Sequence, residues 1–157
     1  MSRVSLTFLW ETPARAIPVF SVFIPFFGCP RRCVFCSQHD QTGQQASPLD
    51  EILARAANDL RARRAQGRPP VELAFYGGTF TALPESELAA CLEMAREALE
   101  QGWISSFRCS TRPDRVDAPT LLRLRSAGCG VVELGVQSFD DSALAASRRG
   151  YTGATAL

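Results

Sequence analysis

Lysine is absent from this chain; all 17 of its basic residues are arginine, spread along its length. Against 16 acidic residues they leave a formal net charge of +1. That excludes a protein that gathers polyanions by overall basicity, since counterion-driven nucleic-acid binding needs a basic excess or stripe. The densest basic stretch, Arg61, Arg63, Arg64 and Arg68, falls at the end of a helical pattern and reads as a solvated face complementing the helix C-terminus. No apolar run approaches the ~20 residues of a membrane-spanning helix, so no membrane partner is expected. Ala14-Arg15-Ala16 has the small-x-small form of a cleavage site. The apolar stretch before it is too short and broken for a signal peptide, and the expected compartment is the cytoplasm. With 46% hydrophobic and 21% charged residues over 157 positions, the composition is that of one folded domain rather than a disordered chain.

Histidine is nearly absent as well, His39 standing alone. The six cysteines are too unevenly spaced for a disulfide framework. Cys29, Cys33 and Cys36 crowd into eight residues, while Cys91, Cys109 and Cys129 stand apart and read as small buried hydrophobes.

What is present is an alternation of strand and helix patterns. The strands are expected at Val19–Ile24, Val71–Tyr76, Ser105–Ser110 and Val131–Val136. A helix follows Ser47-Pro48-Leu49-Asp50, with Ser47 as N-cap and Ile52, Leu53, Ala56 and Leu60 on its buried face. A second opens at Pro84 and buries Leu88, Cys91, Leu92, Ala95 and Leu99. A third is capped by Asp117, carries Leu121, Leu122 and Leu124, and ends at Gly128; a short piece spans Asp140–Arg148. Such an alternation implies parallel βαβ units, as an open sheet or a (β/α) barrel. The chain ends as another helix pattern begins at Thr155, with no fifth strand to cover the fourth, so a truncated product is expected. Each strand runs at its C-terminal end into polar or glycine-rich sequence, where barrels of this kind carry function.

The loop after the first strand reads Cys29-Pro30-Arg31-Arg32-Cys33-Val34-Phe35-Cys36-Ser37-Gln38-His39. Three thiolates on one turn suit an iron–sulfur cluster, and a four-iron cluster with three cysteines keeps one iron open to another ligand. Zinc is the rival, as a Cys3His site completed by His39 that would make the chain a structural interaction module. Against zinc, the last spacing is cramped and structural sites join separated ligand pairs. A truncated chain that binds a cluster without catalysis is a third reading.

With Phe35 just before the last cysteine, this loop resembles the C-x3-C-x-φ-C signature of the radical S-adenosylmethionine (SAM) enzymes. Three further stretches strengthen the resemblance: Phe75-Tyr76-Gly77-Gly78-Thr79-Phe80, Ser110-Thr111-Arg112-Pro113-Asp114, and Glu133-Leu134-Gly135-Val136-Gln137-Ser138-Phe139-Asp140. In order and spacing they are similar to the radical SAM domains of the elongator-type tRNA-modifying subunit and of the oxygen-independent coproporphyrinogen oxidases. The trailing Arg148-Arg149-Gly150-Tyr151-Thr152 also resembles the elongator type. The likeness runs from Ile17 to Leu157, leaving residues 1–16 as an N-terminal extension.

The resemblance implies an α/β fold, a partial parallel (β/α) barrel of radical SAM type ending after its fourth strand. It implies an enzyme in which Cys29, Cys33 and Cys36 hold a 4Fe–4S cluster and SAM binds the open iron. Reductive cleavage would give a 5′-deoxyadenosyl radical for hydrogen abstraction, with the substrate left open. By the same resemblance, Phe35 lies beside the adenine and Gly77, Gly78 and Thr79 contact the methionyl amino group. Thr111, with Ser110 beside it, takes a polar SAM contact, and Gln137 reaches the ribose. The implied partners are SAM and an electron donor of flavodoxin or ferredoxin type, with tRNA entering only by family analogy. Glu133 lies in an apolar strand where a buried acid needs a partner, Arg108 or Arg112 being at hand, and it is not assigned to the site.

Overall fold

The computed structural model describes residues 17–38, 40, 43 and 47–157. The N-terminal extension and His39 lie outside the described residues. Four strands, β1 (Val19–Phe23), β2 (Val71–Tyr76), β3 (Ile104–Thr111) and β4 (Cys129–Leu134), form one sheet in the order β1-β2-β3-β4. Every pairing is parallel. Between and after them run α1 (Leu49–Ala65), α2 (Glu85–Glu100), α3 (Ala118–Ser126) and the short α4 (Asp141–Ala146). A strand order that never reverses, with a helix between successive strands, is the arrangement of a (β/α) barrel opened along one side.

The sheet has two unlike faces. One carries the core: Leu73, Phe75, Phe107 and Cys109 are fully buried against Leu53, Leu60, Leu88, Cys91 and Ala95 of α1 and α2. Phe75 stacks on Phe80 with ring centroids 4.8 Å apart and meets Phe107 edge-on at 6.0 Å. Alternation along the strands then sends Glu72, Tyr76, Arg108, Ser110 and Glu133 to the opposite face, the inside of the opened barrel. Register irregularities at Val71/Glu72 and Phe107/Arg108 leave Ser105 and Gly130 unpaired and keep the polar residues of neighbouring strands in line.

The strand and helix pattern of the sequence is realised, with four local differences. Ser47 does not cap α1; Pro48 occupies the cap position at φ −54° and ψ 145°, and no side chain caps the helix. Proline's fixed φ suits that extended cap, and its carbonyl still accepts the first helical bond, from Ile52 N at 3.2 Å. In α3 only Leu124 is buried, whereas Leu121 and Leu122 face outward on the side that β4 leaves open. The Asp117 cap is present, accepting from Thr120 N at 2.8 Å. The fourth strand lies two residues earlier than its apolar run suggests. Gly135 N still bonds Thr111 O, but Val136 N turns back to Leu134 O, and Gln137 adopts φ +69°. The ladder therefore stops before Val136. Residues 153–156 form a short 3-10 turn rather than the start of a helix.

Candidate functional site

The cysteine loop is seated on the turn that follows β2. Beyond β1, Ile24 N bonds Tyr76 O at 2.8 Å, and Thr79 N bonds Phe27 O at 2.8 Å. Two glycines permit this contact. Gly28 has φ +69°, and a Cβ on it would lie 2.3 Å from Thr79 O; one on Gly78 would lie 2.1 Å from Phe27 O. The space that a side chain at Gly78 would need is thus filled by the chain's own loop, which is why glycine stands there. Gln38 adds a tie, its amide donating to Gly77 O while its side-chain oxygen accepts from Phe26 N at 2.6 Å. Gly78→Ala is expected to push the two loops apart, costing about 1–3 kcal/mol by overpacking. Thermal unfolding checks this, and an unchanged midpoint contradicts it.

A cavity of about 470 Å³ opens at the C-terminal ends of the strands. Its wall gathers Cys29, Cys33, Cys36 and Phe35 from the loop, Gly77, Gly78 and Thr79 from the turn, Thr111 from β3, and Gln137 from beyond β4. Every residue expected at the site from sequence therefore borders one space, of a size that suits a small ligand. Cys29 Sγ lies 3.3 Å from the hydroxyl of buried Thr79. Burial pushes the Cys36 thiol up; the Gln38 hydrogen bond opposes this, and the neighbouring Cys33 and Cys29 reinforce it. Thr111 is buried with its hydroxyl 2.6 Å from that of Thr81, and Ser110 donates to Glu133 at 3.0 Å. Phe35 is half exposed at the rim. Gln137 is exposed, with its side chain over Gly135. Its positive φ, uncommon for a residue with a Cβ, is a local strain at the cavity edge.

Arg149 was not among the residues singled out for the site, and its place in the fold was not readable from the sequence. It is 6% exposed and lines the cavity. Nη1 donates to Cys33 Sγ at 3.2 Å, and Nη2 donates to Gly135 O and to Tyr151 Oη. Tyr151 in turn donates to Val136 O at 2.5 Å, which fixes the loop beyond β4. Among the described residues no carboxylate pairs with Arg149. Burial pulls its pKa down, but Cys33 and Tyr151 outweigh that and raise it, so the group is a cation. The only sequence signal was its place two residues before Tyr151 in the trailing motif. Beside it, Arg112 is 5% exposed and forked onto Asp114 at 2.8 and 3.0 Å, with Nη2 also donating to Arg149 O at 2.6 Å.

Glu133 does find a partner, and it is Arg108 rather than Arg112. Arg108 lies 3.0 Å from Glu133 and 2.5 Å from Glu72. The isolated cysteines are not in the cavity. Cys91 is fully buried on α2 and burial pushes its thiol up to about 12. Cys109 and Cys129 are neighbours across β3 and β4; their mutual influence and burial raise Cys109, and the partner cysteine lowers Cys129. Cys91 and Cys109 are buried as expected, whereas Cys129, at the start of β4, is only partly buried and donates to Val131 O at 3.3 Å.

An opened (β/α) barrel with three thiols on the loop after its first strand, facing a glycine turn after its second, defines a class of cofactor-binding domain. Residues 23–157 match the model of the radical SAM superfamily, and the chain belongs to that superfamily. Among curated relatives, a heme chaperone (HemW) of Bacillus subtilis is 31% identical over 126 residues, covering 78% of this chain and 32% of the relative. An oxygen-independent coproporphyrinogen III oxidase of Cereibacter sphaeroides is 32% identical over 120 residues, or 74% of this chain and 26% of the relative. A tRNA uridine(34) acetyltransferase of Dehalococcoides mccartyi is 28% identical over 96% of this chain and 38% of its own length. The solved coproporphyrinogen III oxidase (HemN) of Escherichia coli, a radical SAM enzyme, shares the fold with a TM-score of 0.62 at 20% identity, over 89% of this chain and 32% of that one. The chain spans about a third of the length of the curated relatives it matches. No helix among the described residues is long and apolar enough to cross a membrane.

Proposed function

We propose that this chain carries the cofactor-binding and SAM-cleaving part of a radical SAM enzyme, within a core domain running from residue 17 to the end of the chain. The observation that carries the reading is the single cavity bordered by three thiols, the glycine turn and a buried guanidinium with no carboxylate partner among the described residues. That donor set suits the cofactors. Three cysteines supply one thiolate each to three irons of a four-iron cluster. A cation 3.2 Å from Cys33 suits a site that becomes negatively charged when thiolates and a ligand carboxylate occupy it. Among the described residues no three His, Cys, Asp or Glu side chains form a ready-made single-ion site, the three cysteines included, and His39 of the zinc alternative lies outside the described residues. The chemistry that the cluster and SAM supply when bound is one-electron reductive cleavage of SAM, ending in hydrogen-atom abstraction from the substrate.

The chain's own residues then have distinct tasks. Cys29, Cys33 and Cys36 hold the cluster. Arg149 offers its charge and one remaining Nη1–H to a carboxylate, its other donors being held by Cys33, Gly135 O and Tyr151. Thr79 and Thr111 line the floor with hydroxyls, and Gly77–Gly78 hold the cysteine loop at a fixed height above them. Phe35 covers the mouth with an aromatic face, and Gln137 presents an amide at the far rim. The electron donor is a small carrier of flavodoxin or ferredoxin type. The relatives' names point to two tetrapyrroles, heme and coproporphyrinogen III, and to a tRNA uridine, two unlike classes of target, so none of these is carried over as the substrate.

The test is anaerobic reconstitution with iron and sulfide, followed by SAM and dithionite. The expected result is 5′-deoxyadenosine with methionine. A fully loaded cluster that yields none overturns the catalytic reading.

A further inference from the structure

The inner face of the sheet carries a polar strip that runs from the cavity across three strands. When a (β/α) barrel interior is a packed core, bulky branched residues fill it. Here Arg108 on β3 lies between Glu72 on β2 and Glu133 on β4. Tyr76 donates to Glu133 Oε1 at 3.3 Å, and Ser110 donates to Oε2 at 3.0 Å. Glu133 and Ser110 also belong to the cavity wall, and Glu133 is the one carboxylate among the described residues there.

A structural role for the strip would need only one carboxylate. Glu72 already supplies it, at 2.5 Å and with its side chain only 11% exposed. Glu133 adds a second negative charge for the same guanidinium, at a longer 3.0 Å and with its side chain 38% exposed toward the open face. The strip therefore carries one uncompensated negative charge, at the place where it meets the cavity. An ionised carboxylate has about four acceptor sites. Arg108 and Tyr76 occupy two on Oε1 and Ser110 one on Oε2, which leaves one acceptor site open. The same wall bears Arg31, Arg112 and Arg149, Arg112 being paired with Asp114, so the cavity is polarised between a cationic region and the anionic strip.

We propose that Glu133 is a ligand-facing acceptor, and that this strip receives the enzyme's second reactant through a neutral or cationic hydrogen-bond donor, an amine, amide or hydroxyl, and not through a carboxylate. The identity of the cavity rests on the function proposed above; the charge sorting rests on the strip. Arg108 is a positioning residue that holds Glu133 in place, and a carboxylate set on the strip itself, away from the cavity arginines, meets its excess negative charge.

Three probes sharing one ring test this: benzamidine, benzamide and benzoate, added to the cluster-loaded, SAM-bound chain and followed by ligand-observed NMR. Benzamidine and benzamide are expected to bind and benzoate to bind about tenfold more weakly or worse. Glu133→Gln is expected to weaken benzamidine about tenfold while easing benzoate, and Glu133→Asp, which keeps the charge, to preserve the order. Benzoate binding as tightly as benzamidine overturns the proposal, as does unchanged benzamidine affinity in folded Glu133→Gln. Should Glu133→Gln fail to fold, a reversed order in Glu133→Asp is the overturning result. Iron content and 5′-deoxyadenosine are read on the same wild-type samples. A chain that cleaves SAM without sorting the probes refutes the strip alone; one that sorts the probes without cleaving SAM refutes the catalytic reading alone.

Discussion

Cys33→Ala is expected to reduce the iron content of the reconstituted chain from about four atoms to near zero and to abolish 5′-deoxyadenosine formation. Cys33 stands between the other two thiols in sequence and is the one that Arg149 touches, at 3.2 Å. Removing it takes away a ligand and also leaves a buried guanidinium without its sulfur partner. The loop itself is expected to stay in place. It is held by Thr79 N on Phe27 O, Cys29 N on Phe26 O and the Gln38 ties, none of which uses the Cys33 side chain. Loss of iron with a preserved circular dichroism spectrum is therefore the specific outcome. Cys91→Ser is the contrasting case, since Cys91 lies in the α2 core: it should lower stability and leave iron loading alone. Equal iron content in wild type and Cys33→Ala contradicts the assignment.

The second large effect is at Asp114. Arg112 is 5% exposed, and its fork onto Asp114 is its only carboxylate contact among the described residues. Taking away one member of a buried pair strands the other, at about 3–5 kcal/mol. Asp114→Asn is expected to lower the unfolding midpoint by roughly 10 °C at neutral pH. The pH dependence follows from the direction of the shift. Burial pushes the Asp114 carboxyl up, but Arg112 and Arg115 outweigh it and hold it below the ordinary value. A carboxyl lowered in the folded state stabilises the fold above its unfolded pKa, and that stabilisation is lost as the pH falls through the folded one. Wild type and Asp114→Asn should thus differ most near neutrality, begin to converge as the pH falls past about 4, and meet only below the lowered folded value. Parallel stability curves down to the acid limit would show that the ion pair carries no such linkage.

The strand and helix positions and the cysteine loop were legible in the sequence because they rest on short-range signals. A run such as Val71–Tyr76 between Pro70 and Gly77 allows one reading, and the observed strand has those bounds. The cysteine spacing named its own loop. The failures lie where a long-range contact overrides the local pattern. Val131–Val136 is apolar to its end, yet the ladder stops at Leu134, where Gly135 N has reached Thr111 O and the chain turns toward Gln137. Leu121 and Leu122 have the pattern of a buried stripe but face the side on which β4 has no neighbour. Arg149 was invisible for the same reason, since its separation from Cys33 is 116 residues and only the fold brings them together. For Gly78, expected by resemblance to contact the methionyl amino group, the fold adds a reason of its own for glycine, since the carbonyl of Phe27 fills the space a side chain would need.

The central claim is that three thiols of this chain hold a cluster with an iron left open for SAM. Electron paramagnetic resonance of the reconstituted, dithionite-reduced chain, recorded before and after SAM is added, tests it most directly. The account predicts the signal of a reduced four-iron cluster whose g values shift on SAM addition, with no shift from S-adenosylmethionine carboxamide, which keeps the sulfonium and lacks the carboxylate that Arg149 would hold. A chain that takes up one zinc and shows no such signal, or a cluster signal indifferent to SAM, would contradict it.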